Sequence, residues 1–219
     1  MRIGGGMGGM GQMGMVGFGP NASAGSNSLT VGNSVRNGVG NSASVNLSLT
    51  TTKGSGLIVV CGLINGVAFG TVTDGTNTYT PIDTTNAFSA ASNVNLWTAP
   101  FSSNTAWTIN VPAFSGTTFI EACAFEIGGV NATPNDSGGP QHSSSTFPAI
   151  TTANANDIII ATEATNDAAS TASGGFTQLF GTNFLNTSYQ IVSATQSGLA
   201  LSLSLSTPAG GIIHAIKSS

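Results

Sequence analysis

The chain has 219 residues, is 40% apolar and only 5% charged, and carries a formal net charge of −4. Four cations, Arg2, Arg36, Lys53 and Lys217, are too few to neutralise a run of phosphates, which excludes groove-reading nucleic-acid binding and adhesion to an anionic membrane surface. The length suits one sizeable β-sandwich or barrel, and no apolar run reaches the roughly 18 residues of a membrane-spanning helix. With so little charge, the surface has to be built from Ser, Thr, Asn and Gly, which serve turns and outward strand faces and are poor helix formers.

Residues 1–20 stand apart. All five methionines lie here, at Met1, Met7, Met10, Met13 and Met15, and glycine recurs at Gly5, Gly8, Gly11, Gly14 and Gly17. A three-residue period fits an extended polyproline-II-type or polyglycine-type helix with one glycine edge and one mostly methionine edge. Such a segment has no internal hydrogen bonds, so it gains order only by packing with copies of itself or in a partner's groove. Glycine allows close backbone approach and methionine fills irregular apolar gaps. The segment is therefore expected to be an anchoring or oligomerisation arm. The thioethers also suit copper(I), but no histidine or cysteine stands nearby, and packing explains the glycines better. Glycine interrupts the start MRIGGGMGGM, so no signal peptide is expected.

Residues 21–42 are small, polar and turn-rich, and read as a linker with one short strand near 28–32. Residues 43–219 read as the β-sandwich. In VNLSLT, Val45, Leu47 and Leu49 share a face, and in AWTINVPAF so do Trp107, Ile109, Val111 and Ala113. GLALSLSLS puts Leu199, Leu201, Leu203 and Leu205 opposite Ala200, Ser202 and Ser204. Three runs, at 56–64, 118–127 and 157–164, are apolar on both faces and fit central strands. Turn chemistry separates the runs: Asp74-Gly75, Gly128-Gly129, Pro134-Asn135, Ser173-Gly174-Gly175 and Ala209-Gly210-Gly211. The spacing predicts an all-β sandwich, jelly-roll-like, with no helix.

Natural sheets protect their edges with charge, and this chain has almost none to spend, which favours edges covered by loops or by other subunits. Cys61 and Cys123 lie inside apolar runs and read as buried reduced thiols, a disulfide between them being the other reading. Neither His142 nor His214 has a second ligand at metal spacing, and both read as bystanders. Glu121 and Glu126 are five apart on one strand and face opposite sides, so they form no paired-carboxylate site. Asp74 reads as a hairpin residue; a calcium site with Asn77 falls far short of the ligand count. The formal G-x-G-x-x-G at Gly4, Gly6 and Gly9 follows no strand and opens no helix. For a sugar contact, Trp97 and Tyr79 are the candidate rings and Asn95, which alternates with Trp97, the candidate polar partner; core packing is the competing reading for Trp97.

The segments GSGLIVVCGLI, TVTDGTNTYTPI, NVNLWTAP, AWTINV and FIEACAFEIGGV, followed by TTANANDIIIATEA, GFTQLF, SYQIVSA and IIHAIK, resemble in order and spacing a β-sandwich domain of bacteriophage tail-fibre, appendage and other virion-associated proteins. The resemblance spans roughly residues 43–218. It implies a structural role, sometimes with attachment to a host surface, and assigns no site residue. The Gly/Met-rich start is similar to short glycine-rich termini by which some fibre proteins dock to a tail.

The expectation is therefore a non-enzymatic structural component of a phage virion, a tail fibre or similar appendage anchored through its arm. Its partners would be copies of itself, in an oligomer such as a trimer, and other virion proteins, with no cofactor, metal, nucleic acid or inserted membrane. The alternatives are a carbohydrate-binding adhesin module, with a host glycan as partner, and a head decoration protein.

Overall fold

The computed structural model describes residues 28–83, 92–143, 146–165, 171–182, 184–204 and 208–219; the Gly/Met-rich arm and its expected assembly role lie outside the described residues. In the first half the strands are β1 (Thr30–Ser42), β2 (Ser44–Thr50), β3 (Gly56–Asn65), β4 (Thr80–Pro81), β5 (Ser92–Phe101), β6 (Ala106–Pro112) and β7 (Thr118–Gly128). The second half supplies β8 (Val130–Asn135), β9 (Gln141–Ser143), β10 (Ala149–Ile150), β11 (Asp157–Thr165), β12 (Ala172–Ser173), β13 (Thr177–Gly181), β14 (Leu185–Ile191), β15 (Leu199–Ala200), β16 (Ser202–Leu203) and β17 (Pro208–Ser218). No helix occurs among the described residues, and the fold is an all-β sandwich.

Two antiparallel sheets form its centre, one ordered β1-β7-β3-β5-β4 and the other β13-β14-β11-β17-β8, with β9 also paired to β17. Between them Leu57, Val59, Leu96, Phe125 and Ile127 meet Ile158, Ile160 and Ile216. The alternate residues point the other way. Ile58, Val60, Ala122 and Ala124 are covered by Val45, Leu47 and Leu49 of β2 and Ile109 and Val111 of β6. On the far side, Ile159, Ala161, Ile213 and Ala215 are covered by Ile150, Phe176, Leu201 and Leu203. The molecule thus has four layers. This is why β3, β7 and β11 are apolar on both faces: each is sandwiched twice. Every fully buried Ile or Leu contributes roughly 1.5–3 kcal/mol, and these strands carry one on either side.

The two halves repeat one arrangement. The central strand β3 lies between β7 and β5, and β11 lies between β17 and β14. Cys61 pairs with Leu96 and Cys123, as Thr162 pairs with Thr187 and Ile212. One step along, the buried Asn95 and Asn186 fall at matching positions. The short flanking ladders also match: β2 pairs with β6 before β3 begins its course, and β10 pairs with β15 around β11.

The segment expected as a polar linker is a strand over most of its length. β1 runs for 13 residues, not five, and pairs with β7 from Thr30↔Gly128 to Ser42↔Thr118. Its polar composition is that of an edge strand with bulges, at Val31/Ser34 and Val39/Ser42, and only Val35 and Val39 pack partly against the outer core. The leucine run at 199–205 also departs from a single strand: β15 pairs with β10 and β16 with β12, while Leu205 lies outside the described residues.

Candidate functional site

The three side chains singled out for a sugar contact are interior. Trp97 is 4% exposed, Tyr79 5% and Asn95 3%. Trp97 stands edge-on to Phe69 with ring centroids 4.8 Å apart. The Tyr79 hydroxyl donates to Asp74 Oδ2 at 2.9 Å, and burial followed by the Asp74 hydrogen bond and charge raises its pKa. Asn95 Oδ1 accepts from Leu96 N at 2.7 Å. Asn95 and Trp97 do share a face, as alternation requires, but that face is buried, with Phe69 against Trp97, so neither the Trp97 nor the Tyr79 ring is an open stacking platform. Trp97 and Tyr79 contribute instead to the wall of a cavity of about 350 Å³ beside the exposed Phe114.

Most carboxylates hold the chain's own turns. Asp74 Oδ1 accepts from the amides of Thr76 and Asn77, and Gly75 supplies the positive φ of 82° that the turn needs. Its Oδ2 takes Asn77 Nδ2 and Tyr79, which leaves no open oxygen for a cation. Glu126 accepts from Asn33 N, Thr52 N, Thr52 Oγ1 and Lys53 N at 2.7–3.1 Å, tying β1 and the β2–β3 turn to β7. Asp136 does the same for the turn before β11, accepting from Gly138 N, Ala153 N, Asn154 N and Asn154 Nδ2. Burial opposes the Asp136 charge, but these donors outweigh it and hold its carboxyl at about 2.

Beside Asp136 lies Asp157, also fully buried. Burial, then the charge and hydrogen bond of Asp136, push Asp157 up to about 7, with Lys217 pulling slightly the other way. Asp157 therefore holds its proton up to about neutrality beside the ionised Asp136. His214 Nε2 lies 3.0 Å from Asn135 Oδ1, and burial lowers its pKa to about 4, so the ring is neutral. His142 Nδ1 sits 2.7 Å from Asp83 Oδ2. Among the described residues no three His, Cys, Asp or Glu side chains gather as a metal-ligand set. Cys61 and Cys123 are register partners, both buried and both free thiols; Cys123 Sγ donates to Thr187 Oγ1 at 3.3 Å, which lies 3.2 Å from Thr162 Oγ1.

A site with accessible chemistry occurs where the edge of the first sheet meets the second. Arg36 and Gly38 of β1, Phe119 and Glu121 of β7, and Gly181, Thr182 and Phe184 around the β13–β14 turn line an open groove of about 430 Å³. Arg36 Nη1 contacts Glu121 Oε1 at 3.2 Å, and Thr182 Oγ1 donates to Glu121 Oε2 at 2.9 Å. Glu121 is 4% exposed; burial raises its pKa, against the lowering effects of Thr182 and Arg36. Phe184, 44% exposed, leans on Phe119 with ring centroids 4.9 Å apart. Glu121 and Glu126 point to opposite sides of β7, as their spacing requires: one serves the groove, the other the outer turn.

A second groove at the other edge, where β8 faces β4 and β5, is larger, about 490 Å³, and lined by Ser55, Thr80, Thr98, Asn131 and Asn135 among others, with no charged side chain among the described lining residues. Sequence reasoning placed Arg36 in a linker and weighed Glu121 only against Glu126. The available signal was a carboxylate inside an apolar strand, which needs a partner from elsewhere in the chain. In comparisons with known proteins, the chain matches no family model, no curated protein and no solved structure.

Proposed function

We propose that this chain is a structural component of a phage virion, of the tail-fibre or appendage kind, held to the particle through its Gly/Met-rich N-terminal arm. The observation that carries the reading is the strand that follows the arm in sequence. β1, the longest strand among the described residues, is paired along β7 and pinned by Glu126 through Asn33. A pull on the arm is spread over that ladder and passed to a four-layer body whose two central sheets are covered on both faces. Such a body resists deformation because opening either sheet exposes two cores at once. The sequence resemblance to virion-associated sandwich domains supports the same reading.

The test is the solution mass of the full chain against a version lacking residues 1–20, together with mass spectrometry of purified particles that encode the chain. The reading expects arm-dependent oligomers, or the chain at a fixed copy number in the particle. Monomers in both versions, with the chain missing from the particle, would remove it.

A further inference from the structure

We propose that the groove between β1–β7 and the β13–β14 turn binds a neutral oligosaccharide. Phe184 packs on the apolar face of one sugar, and the Arg36–Glu121 pair takes its neighbouring hydroxyls. The proposal is independent of the arm, so it stands or falls separately from the virion reading.

The chemistry is complementary. Arg36 is 42% exposed and spends one of its guanidinium N–H groups on Glu121, leaving the others for a ligand's oxygens. Glu121 accepts one hydrogen bond on each oxygen, and each oxygen keeps a lone pair for a hydroxyl donor. A vicinal diol donates to a carboxylate and accepts from a guanidinium side by side, which is what this pair presents. Phe184 supplies the apolar surface, fixed by Phe119 behind it. Gly38 lies opposite Glu121 in the β1–β7 register and lines the groove beside it. The volume falls within the roughly 300–1,000 Å³ of small-molecule sites.

The charge favours a neutral sugar. Arg36 is balanced by Glu121, and the chain as a whole is acidic, so nothing draws in an anionic one.

The experiment uses the full chain with cellohexaose, maltohexaose, chitohexaose and hexagalacturonate, read by saturation-transfer NMR and titration calorimetry. At least one neutral hexasaccharide should bind. Phe184→Ala and Arg36→Ala should each weaken it by about tenfold, while Asn131→Ala in the opposite groove should leave it unchanged. Phe184→Ala removes a half-exposed ring and should keep the melting temperature, so it remains decisive if Arg36→Ala is unstable. Absence of neutral-sugar binding, binding of hexagalacturonate alone, or equal binding by Phe184→Ala and wild type would each overturn the proposal.

Discussion

Thr51 and Thr152 do the same work in the two halves of the molecule. Thr51 N donates to Thr105 O at 2.9 Å and its Oγ1 accepts from Thr105 N at 3.0 Å. Thr152 N donates to Gln196 O at 3.1 Å and its Oγ1 accepts from Gln196 N at 2.9 Å. Each threonine therefore closes a two-bond ring that fixes the turn into a central strand, β3 or β11. Both threonines are buried, although Thr105 is exposed and Gln196 half-buried, so each hydroxyl carries its turn's hydrogen bonds into the interior.

Thr51→Val and Thr152→Val should each cost about 0.5–1.5 kcal/mol, because valine keeps the shape and loses the hydroxyl's hydrogen bonds to the turn. The two sites lie in different halves and share no partner, so the double variant should lose the sum within about 0.5 kcal/mol. Denaturant midpoints of the four proteins measure this; strong coupling would mean that the halves do not hold their turns independently.

The Asp136–Asp157 pair gives stability a definite pH dependence. Folding raises the Asp157 pKa to about 7, so between its ordinary value and 7 the folded protein keeps a proton that the unfolded chain has released. Stability from this group falls as pH rises through that window and levels off above it. Asp136 has the opposite sign: with its carboxyl at about 2, its contribution is present above the ordinary carboxyl pKa and lost as pH falls toward 2. In Asp157→Asn the amide donates to Asp136 as the protonated acid does. The variant should match wild type near pH 4 and exceed it above pH 7 by roughly 2–4 kcal/mol. The difference between the two stability profiles isolates the pair from His214, whose lowered pKa makes it lose stability as pH falls from its ordinary value to about 4. A difference that does not vary with pH would refute the raised Asp157 pKa.

Glu163 is buried, and neither carboxylate oxygen has a hydrogen-bond partner; burial raises its pKa well above the ordinary value, so it sits neutral against Gly211. A Cβ on Gly211 would overlap the Glu163 carboxyl. Gly211→Ala should therefore destabilise by about 1–3 kcal/mol, and adding Glu163→Ala should recover part of the loss, giving a compensating interaction energy of about 1 kcal/mol or more. Thermal melts of the four proteins in this cycle test it, with simple additivity as the contrary outcome. In the first half Gly62 occupies the position equivalent to Glu163, and the rings of Phe69 and Trp97 fill the space over it.

The thiols should be inert in the native state. Cys61 is fully buried, and burial followed by the hydrogen bond and charge of Cys123 pushes its pKa up, so little thiolate forms. Ellman's reagent should find neither cysteine in native buffer and both after denaturation. Rapid labelling of the folded protein would mean that the two sheets separate readily at this point.

The strands were legible where chemistry is local. Val45, Leu47 and Leu49 alternate with polar residues, and β2 buries those three. The runs at 56–64, 118–127 and 157–164 became β3, β7 and β11 with nearly the same limits. The linker reading failed because an edge strand needs an apolar residue only where it touches the core, and β1 touches it at Val31, Val35 and Val39. The internal repeat stayed hidden because the matching positions hold different residues: Cys61 answers to Thr162, Leu96 to Thr187 and Phe125 to His214.

By itself the sequence determined the all-β class, the places of the central strands and the faces on which side chains alternate. Those follow from a period of two and from a surface with almost no charge, both properties of neighbours along the chain. Only the tertiary structure decided what covers each face. It put Trp97, Tyr79 and Asn95 in the interior, with Phe69 against the Trp97 ring. It also brought Arg36, Glu121 and Thr182 together across separations of 85 and 61 residues. Alternation tells which way a side chain points, but the free energy of a site depends on what stands opposite, and that is set by how the sheets stack.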